Sequence, residues 1–280
     1  MLGAIIGDIA GSAFEAHPWK GSSASVPFFA EHARFTDDTV MTCAAASALM
    51  MSVRKGDPGS PADEELFKIN MSAEMNRLGR LFPMAGYGGR FIRWLALPLS
   101  LKRPYRSYGN GSAMRVSPIG EWFGTAEETI RFAELSAAVT HDHPEGIKGA
   151  VAVALAIFLA RTGESKTAIK NAVASLTGYD LGRSYSDIAQ NYSFDVTCQG
   201  SVPEALIAFL ESTSFEDAVQ KAIALGGDAD TQAAMAGSIA EAFYGIPDEL
   251  RIDAFSYLPQ PLAEICEKWE EAFRHSENQR

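Results

Sequence analysis

Apolar and small residues recur at helical spacing through almost the whole of this chain of 280 residues, and the strict alternation of a half-buried strand is nearly absent. With helices averaging about eleven residues, the pattern predicts an all-α fold of roughly ten or more helices. No low-complexity linker or internal repeat breaks it, so residues 1–280 are expected to form one domain. The sharpest local constraint lies in Met1–Phe14, where Gly3, Gly7 and Gly11 recur every fourth residue. On a helix they share one face. Each costs roughly 1 kcal/mol relative to alanine, a cost that close approach of a second helix offsets. Asp8, in the same stretch, reads as a buried, hydrogen-bonded structural carboxylate.

Two acidic clusters stand far apart in sequence. Thr36-Asp37-Asp38-Thr39 opens a small, apolar run to Met50, and Asp228, Asp230 and Thr231 open another, Gln232–Tyr244. Gly226 and Gly227 end the helix before the second cluster. Each cluster by itself reads as a helix cap, with acids favoured by the free N–H groups and the dipole. Brought together they would concentrate four carboxylates and at least two hydroxyls, which is hard to tolerate without cations. All-oxygen donors select hard ions.

Other stretches read as turns or partners of these clusters. Pro58–Asp63 is a turn-rich break, and a charged tail closes the chain. Gly86-Tyr87-Gly88-Gly89-Arg90 precedes an apolar helix. Gly109-Asn110-Gly111-Ser112, followed by Met114 and Arg115, presents successive backbone N–H groups with little bulk, a geometry that serves either a simple turn or an anion cradle. In Thr140-His141-Asp142-His143-Pro144 the proline forces an extended or turn conformation, and one histidine is expected to face a ligand while the other is structural.

The charge balance narrows the partners. A formal net charge of −11 weighs against a nucleic-acid partner. No apolar stretch reaches the length of a membrane span, and Asp8 interrupts the apolar N-terminus, which argues against a secretory signal. Cys43, Cys198 and Cys266 are scattered and fit reduced thiols in a cytoplasmic protein.

Taken jointly and in order, these motifs resemble the ADP-ribosylglycohydrolase family over nearly the whole chain. The resemblance rests on Gly7-Asp8 through Glu15, Thr36–Thr39, Gly86–Arg90, Gly109–Arg115, Thr140–Gly146 and Gly226–Thr231. It implies an all-α fold with two Mg²⁺ or Mn²⁺ ions at the bottom of a cleft. Thr36, Asp37 and Asp38 would supply ligands from one side and Asp228, Asp230 and Thr231 from the other, with Asp230 bridging. Asp37 or Asp38 would accept the proton of water, with Glu15 a second candidate for acid–base work. Gly109–Ser112 would hold a diphosphate and Met114 belongs to the same substrate loop. His141 would sit beside ribose or diphosphate, and Tyr87, Gly88 and Gly89 would line the cleft. The implied substrate is an ADP-ribosylated protein, with arginine favoured as the linkage and O-linked serine the alternative, or a small ADP-ribosyl or NAD-like compound. The same fold is similar to that of certain lens crystallins, which are not enzymes. Gln232 stands where relatives often carry asparagine, and Ala229 where they often carry threonine or serine.

Overall fold

The computed structural model describes residues 1–277 apart from Gly56 and Pro58. Pro58, the first residue of the expected break, and the end of the charged tail lie outside the described residues. Fourteen α-helices are described. The first seven are α1 (Leu2–Ser12), α2 (Asp37–Ser52), α3 (Pro61–Leu81), α4 (Gly89–Ala96), α5 (Ser117–Trp122), α6 (Ala126–Ala138) and α7 (Pro144–Arg161). There follow α8 (Lys166–Thr177), α9 (Tyr185–Asn191), α10 (Cys198–Leu210), α11 (Phe215–Ala224), α12 (Ala229–Tyr244), α13 (Asp248–Ser256) and α14 (Gln260–Glu277). Among the described residues there is no strand, only an isolated bridge between Gly109 and Thr197.

The arrangement is built on α1 and α12. Every residue of α1 is buried, and α12 is buried from Ala229 to Ala240. A Cβ at Gly7 would stand 2.1 Å from the carbonyl oxygen of Ala233, and one at Gly3 would stand 2.4 Å from that of Gly237. The two backbones therefore touch, and only glycine permits it. At the far end of the same stripe a Cβ at Gly11 would meet the Cα of Asp230 at 2.5 Å. The glycine stripe thus fixes where the second acidic cluster sits.

Around this pair, α7 and α10 pack on α12, α2 lies between α1 and α3, and α5 and α6 cover α7. Their apolar faces merge into one buried cluster reaching from Met1 to Trp269. Local chemistry sets several boundaries. Helix α3 begins inside the expected break because Ser60 and Asp63 cap its first turn reciprocally. Helix α7 begins at Pro144, where the missing N–H costs nothing, and the His143 side chain accepts from the Glu145 N–H. Before the charged tail the chain closes in two helices, α13 and α14, parted at Leu258-Pro259.

Candidate active site

The acidic clusters meet at a cleft of about 450 Å³. The first cluster is built on Asp8. Its Oδ2 accepts from the Thr36 N–H at 2.8 Å, the Thr39 N–H at 3.0 Å and the Thr39 hydroxyl, and its Oδ1 accepts from the Thr36 hydroxyl at 2.7 Å. Four donors hold this buried carboxylate, so Asp8 is the buttress that shapes Thr36–Thr39. The Thr36 hydroxyl in turn accepts from the Asp38 N–H and caps α2. The Asp37 N–H donates to the Ala85 carbonyl at 2.7 Å, tying the cluster to the Gly86–Gly89 turn.

The second cluster is built on the glycine pair. Gly226 and Gly227 both have positive φ, 76° and 78°. Two consecutive residues in that region require glycine. At Gly227 a Cβ would also press on the Tyr192 ring at 2.8 Å. The Gln232 side-chain amide donates to the Gly226 carbonyl at 2.6 Å and holds the turn. The chain then enters α12 with Asp228 at the cap and Asp230 and Thr231 in the first turn.

The clusters touch where the Thr231 hydroxyl donates to Asp38 Oδ2 at 3.2 Å. Single oxygens of Asp8, Asp38 and Asp230 lie within 4.8 Å of one another, as do those of Glu15, Asp228 and Asp230. Asp38 Oδ1 is buried and has no hydrogen-bond donor. Burial first, then Asp230 and the other acids, push the Asp38 carboxyl well above its usual range. Burial and then Asp228 do the same for Asp230. Half-buried Asp37 is pushed up to about 7 by burial and by Asp8. Burial raises Asp228, against the pull of the Asn110 amide at 2.6 Å. A buried acceptor without a donor, ringed by mutually repelling carboxylates, fits a site for hard cations.

Hydrogen-bond donors line the same cleft. Gly88, Gly89 and Arg90 at the start of α4, Gly109–Gly111, and His141 all line it. A Cβ at Gly111 would stand 3.4 Å from His141 Nε2. The partners of that ring fix its orientation. Buried Arg115 donates to the Thr140 hydroxyl at 3.1 Å, and Thr140 Oγ1 lies 2.7 Å from His141 Nδ1. The Thr140 hydroxyl therefore bridges the guanidinium and the imidazole, and Nε2 is turned toward the glycine turn. Burial, Arg115 and Arg90 hold the imidazole neutral, well below its usual range.

The cleft lining includes Glu15, Thr36, Asp37, Asp38, Asp228, Asp230 and Thr231 from the expected acid-cluster set, and Gly88, Gly89, Gly109, Asn110, Gly111, Met114 and His141 from the expected substrate set. Tyr87 and Ser112 lie outside the lining. The Tyr87 side chain is buried against the Phe91 ring, and the Ser112 hydroxyl is buried and donates to the Gly146 carbonyl at 2.6 Å. The Asn110 amide faces Asp228 and Ser201, so it joins the glycine turn to the acids. Of the two histidines, His141 lines the cleft and His143 caps α7. Arg34, Arg90 and Tyr105 also line the cleft. Nothing in their spacing marks them, although Arg90 lies within a motif already singled out.

An all-α fold that joins two helix N-termini into an acid-floored cleft lined by glycine turns is the arrangement to set beside known proteins. Residues 1–278 match the family model described as ADP-ribosylglycohydrolase, and the chain belongs to that family, whose members hydrolyse ADP-ribosyl linkages. ADP-ribosylhydrolase ARH3 of Homo sapiens is 28% identical over 344 residues, covering 97% of this chain and 89% of the relative. ADP-ribosylarginine hydrolase Tri1 of Pseudomonas putida (strain GB-1) is 27% identical over 282 residues, covering 94% and 76%. A solved structure titled "ADP-ribosylglycohydrolase-related protein complex" superposes with a TM-score of 0.66 at 24% identity, covering 98% of this chain and 95% of that one, and shows the same fold.

Proposed function

We propose that this chain is a metal-dependent hydrolase that releases ADP-ribose from an ADP-ribosylated protein. The observation that carries the reading is one cleft with an acid floor and a donor wall. ADP-ribose has the complementary halves, a diphosphate for the donors and a ribose to be held at the acids. Thr36, Asp37, Asp38, Asp228, Asp230 and Thr231 would hold two Mg²⁺ or Mn²⁺ ions, with Asp230 shared. Bound there, the ions supply charge neutralisation, anchorage of ribose hydroxyls and a lowered pKa for water. His141 and the Gly109–Ser112 turn would bind the diphosphate, the turn through N–H groups other than those of Gly109 and Asn110, which donate to the Ser107 hydroxyl and the Val196 carbonyl.

Cleavage breaks the bond between ribose C1″ and the linking atom of the target side chain, through an oxocarbenium-like transition state. Water adds to C1″, and Asp37 takes its proton. Asp38 lies beside it as the alternative base. Glu15, on the exposed rim and within reach of Asp228 and Asp230, is placed to protonate the leaving group. Arginine is the favoured linkage, supported by the likeness to an ADP-ribosylarginine hydrolase. The whole chain would act as one domain, in the cytoplasm. Matched ADP-ribosyl-arginine and ADP-ribosyl-serine peptides, assayed with Mg²⁺, Mn²⁺ or EDTA, test this. Metal-dependent release from the arginine peptide is expected. Release from the serine peptide alone overturns the linkage, and release from neither overturns the activity on proteins.

A further inference from the structure

The cleft opens beside a surface whose charge is opposite to that of the whole molecule. Residues 75–120 hold eight of the chain's 24 lysines and arginines and none of its 35 aspartates and glutamates. Arg80, Arg90, Arg93, Arg103 and Arg106 are exposed, and among the described residues none of them forms an ion pair with a carboxylate. Asp142 reaches this region only through a hydrogen bond from the Arg106 backbone N–H at 2.6 Å. Three bonds join the segment into one surface. Arg80 donates to the Leu95 carbonyl, Lys102 to the Trp94 carbonyl and Arg90 to the Tyr105 carbonyl. Arg90 and Tyr105 also line the cleft, so the surface begins at its mouth.

Aliphatic side chains are set among these cations. Ile92 is 52% exposed, Leu99 51% and Leu101 60%, with Leu97 beside them. Phe91, Trp94 and Leu95 on the other face of α4 are buried, so Ile92 and Arg93 are left outward for want of room in the core. Exposed apolar side chains gathered in one place mark an interaction surface. The unpaired cations set the sign of the partner as negative.

We propose that this surface docks an acidic peptide segment with interspersed aliphatic residues. Nucleic acid fits less well, because the whole chain carries a net charge of −11 and the exposed side chains set among the cations, Ile92, Leu97, Leu99 and Leu101, are aliphatic. A membrane fits less well, because the surface runs into the cleft and its occupant must leave the cleft reachable. Continuity with the cleft makes the segment part of the substrate, the stretch flanking the modified side chain. That last assignment rests on the hydrolase reading above, whereas the docking surface does not.

The test reads binding without turnover, so it is independent of the activity. A short fluorescein-labelled peptide of aspartate, glutamate and leucine is titrated with the full chain and followed by anisotropy, beside a labelled single-stranded oligonucleotide and vesicles of phosphatidylserine. The doubly reversed variant Arg93→Glu/Arg103→Glu and the variant Leu99→Ser/Leu101→Ser are compared after their thermal unfolding is shown to match the parent. The peptide is expected to bind, more weakly as salt rises. Each variant should weaken it, the charge reversal by roughly tenfold. No binding, or equal binding by the charge-reversed variant, overturns the proposal. Tighter binding of the oligonucleotide or the vesicles than of the peptide overturns it in favour of that partner.

Discussion

Burial and mutual repulsion at the acid floor weaken the metal-free fold. Asp38 is buried, partly unsatisfied and surrounded by like charge. Asp38→Asn should therefore do two opposite things. Release of ADP-ribose should fall by about a hundredfold or more, and the melting temperature in EDTA should rise, because a repelled charge is gone. A fall in both would show that Asp38 is structural. His141 supplies a second case. Thr140→Val removes the hydroxyl that serves both Arg115 and His141 Nδ1, and should cost about 1–3 kcal/mol in urea unfolding. A neutral substitution would mean that the Arg115–Thr140–His141 chain holds nothing. Sequence exposed the residue types here better than their roles. Thr36–Thr39 and Asp228–Thr231 could be read from oxygen-rich helix starts. The part of Asp8 as buttress depends on four donors that only the fold brings to it. Arg34 and Tyr105 reach the cleft from loops that carry no periodic signal.

At the scale of helices, the stripe Gly3-Gly7-Gly11 decides where the acids meet. Spacing alone predicted a close neighbour, since four-residue glycine repeats share a face. The identity of that neighbour, α12, was not legible, because α12 is small-residued and apolar on all sides and points to no partner. Gly7→Ala would drive a methyl into the Ala233 carbonyl. It should destabilise by about 3 kcal/mol or more and weaken activity through displacement of Asp230. A melting temperature within error of the parent would remove α1–α12 contact as the device that sets the site. Helix ends were legible where a cap or a proline marks them, as at Ser60 and Pro144. They were less so at α12, where Asp230 and Thr231 lie inside the first turn rather than before it.

For the molecule as a whole, the two acidic clusters behave as one electrostatic unit, and under the proposed metal-dependent reading protons and metal ions compete for it. Carboxyls raised in the folded state hold protons that the unfolded chain has released, so their repulsion weakens the metal-free fold as pH rises through about 7. Metal ions bind the deprotonated form. The gain in melting temperature given by Mg²⁺ over EDTA should therefore be larger at about pH 8 than at about pH 6. Comparing the two curves cancels the contribution of groups that do not touch the metal. An equal or smaller gain at higher pH would separate the cluster from metal binding. The central claim, that both clusters serve one metal-dependent hydrolytic centre, is tested most directly by titrating Mn²⁺ into the release of ADP-ribose from an ADP-ribosyl-arginine peptide, for the parent, Asp38→Asn and Asp230→Asn. Parent activity should appear only with metal, and each variant, one from either cluster, should lose it or require far more. Full turnover in EDTA, or a variant that matches the parent at every concentration, would contradict the account.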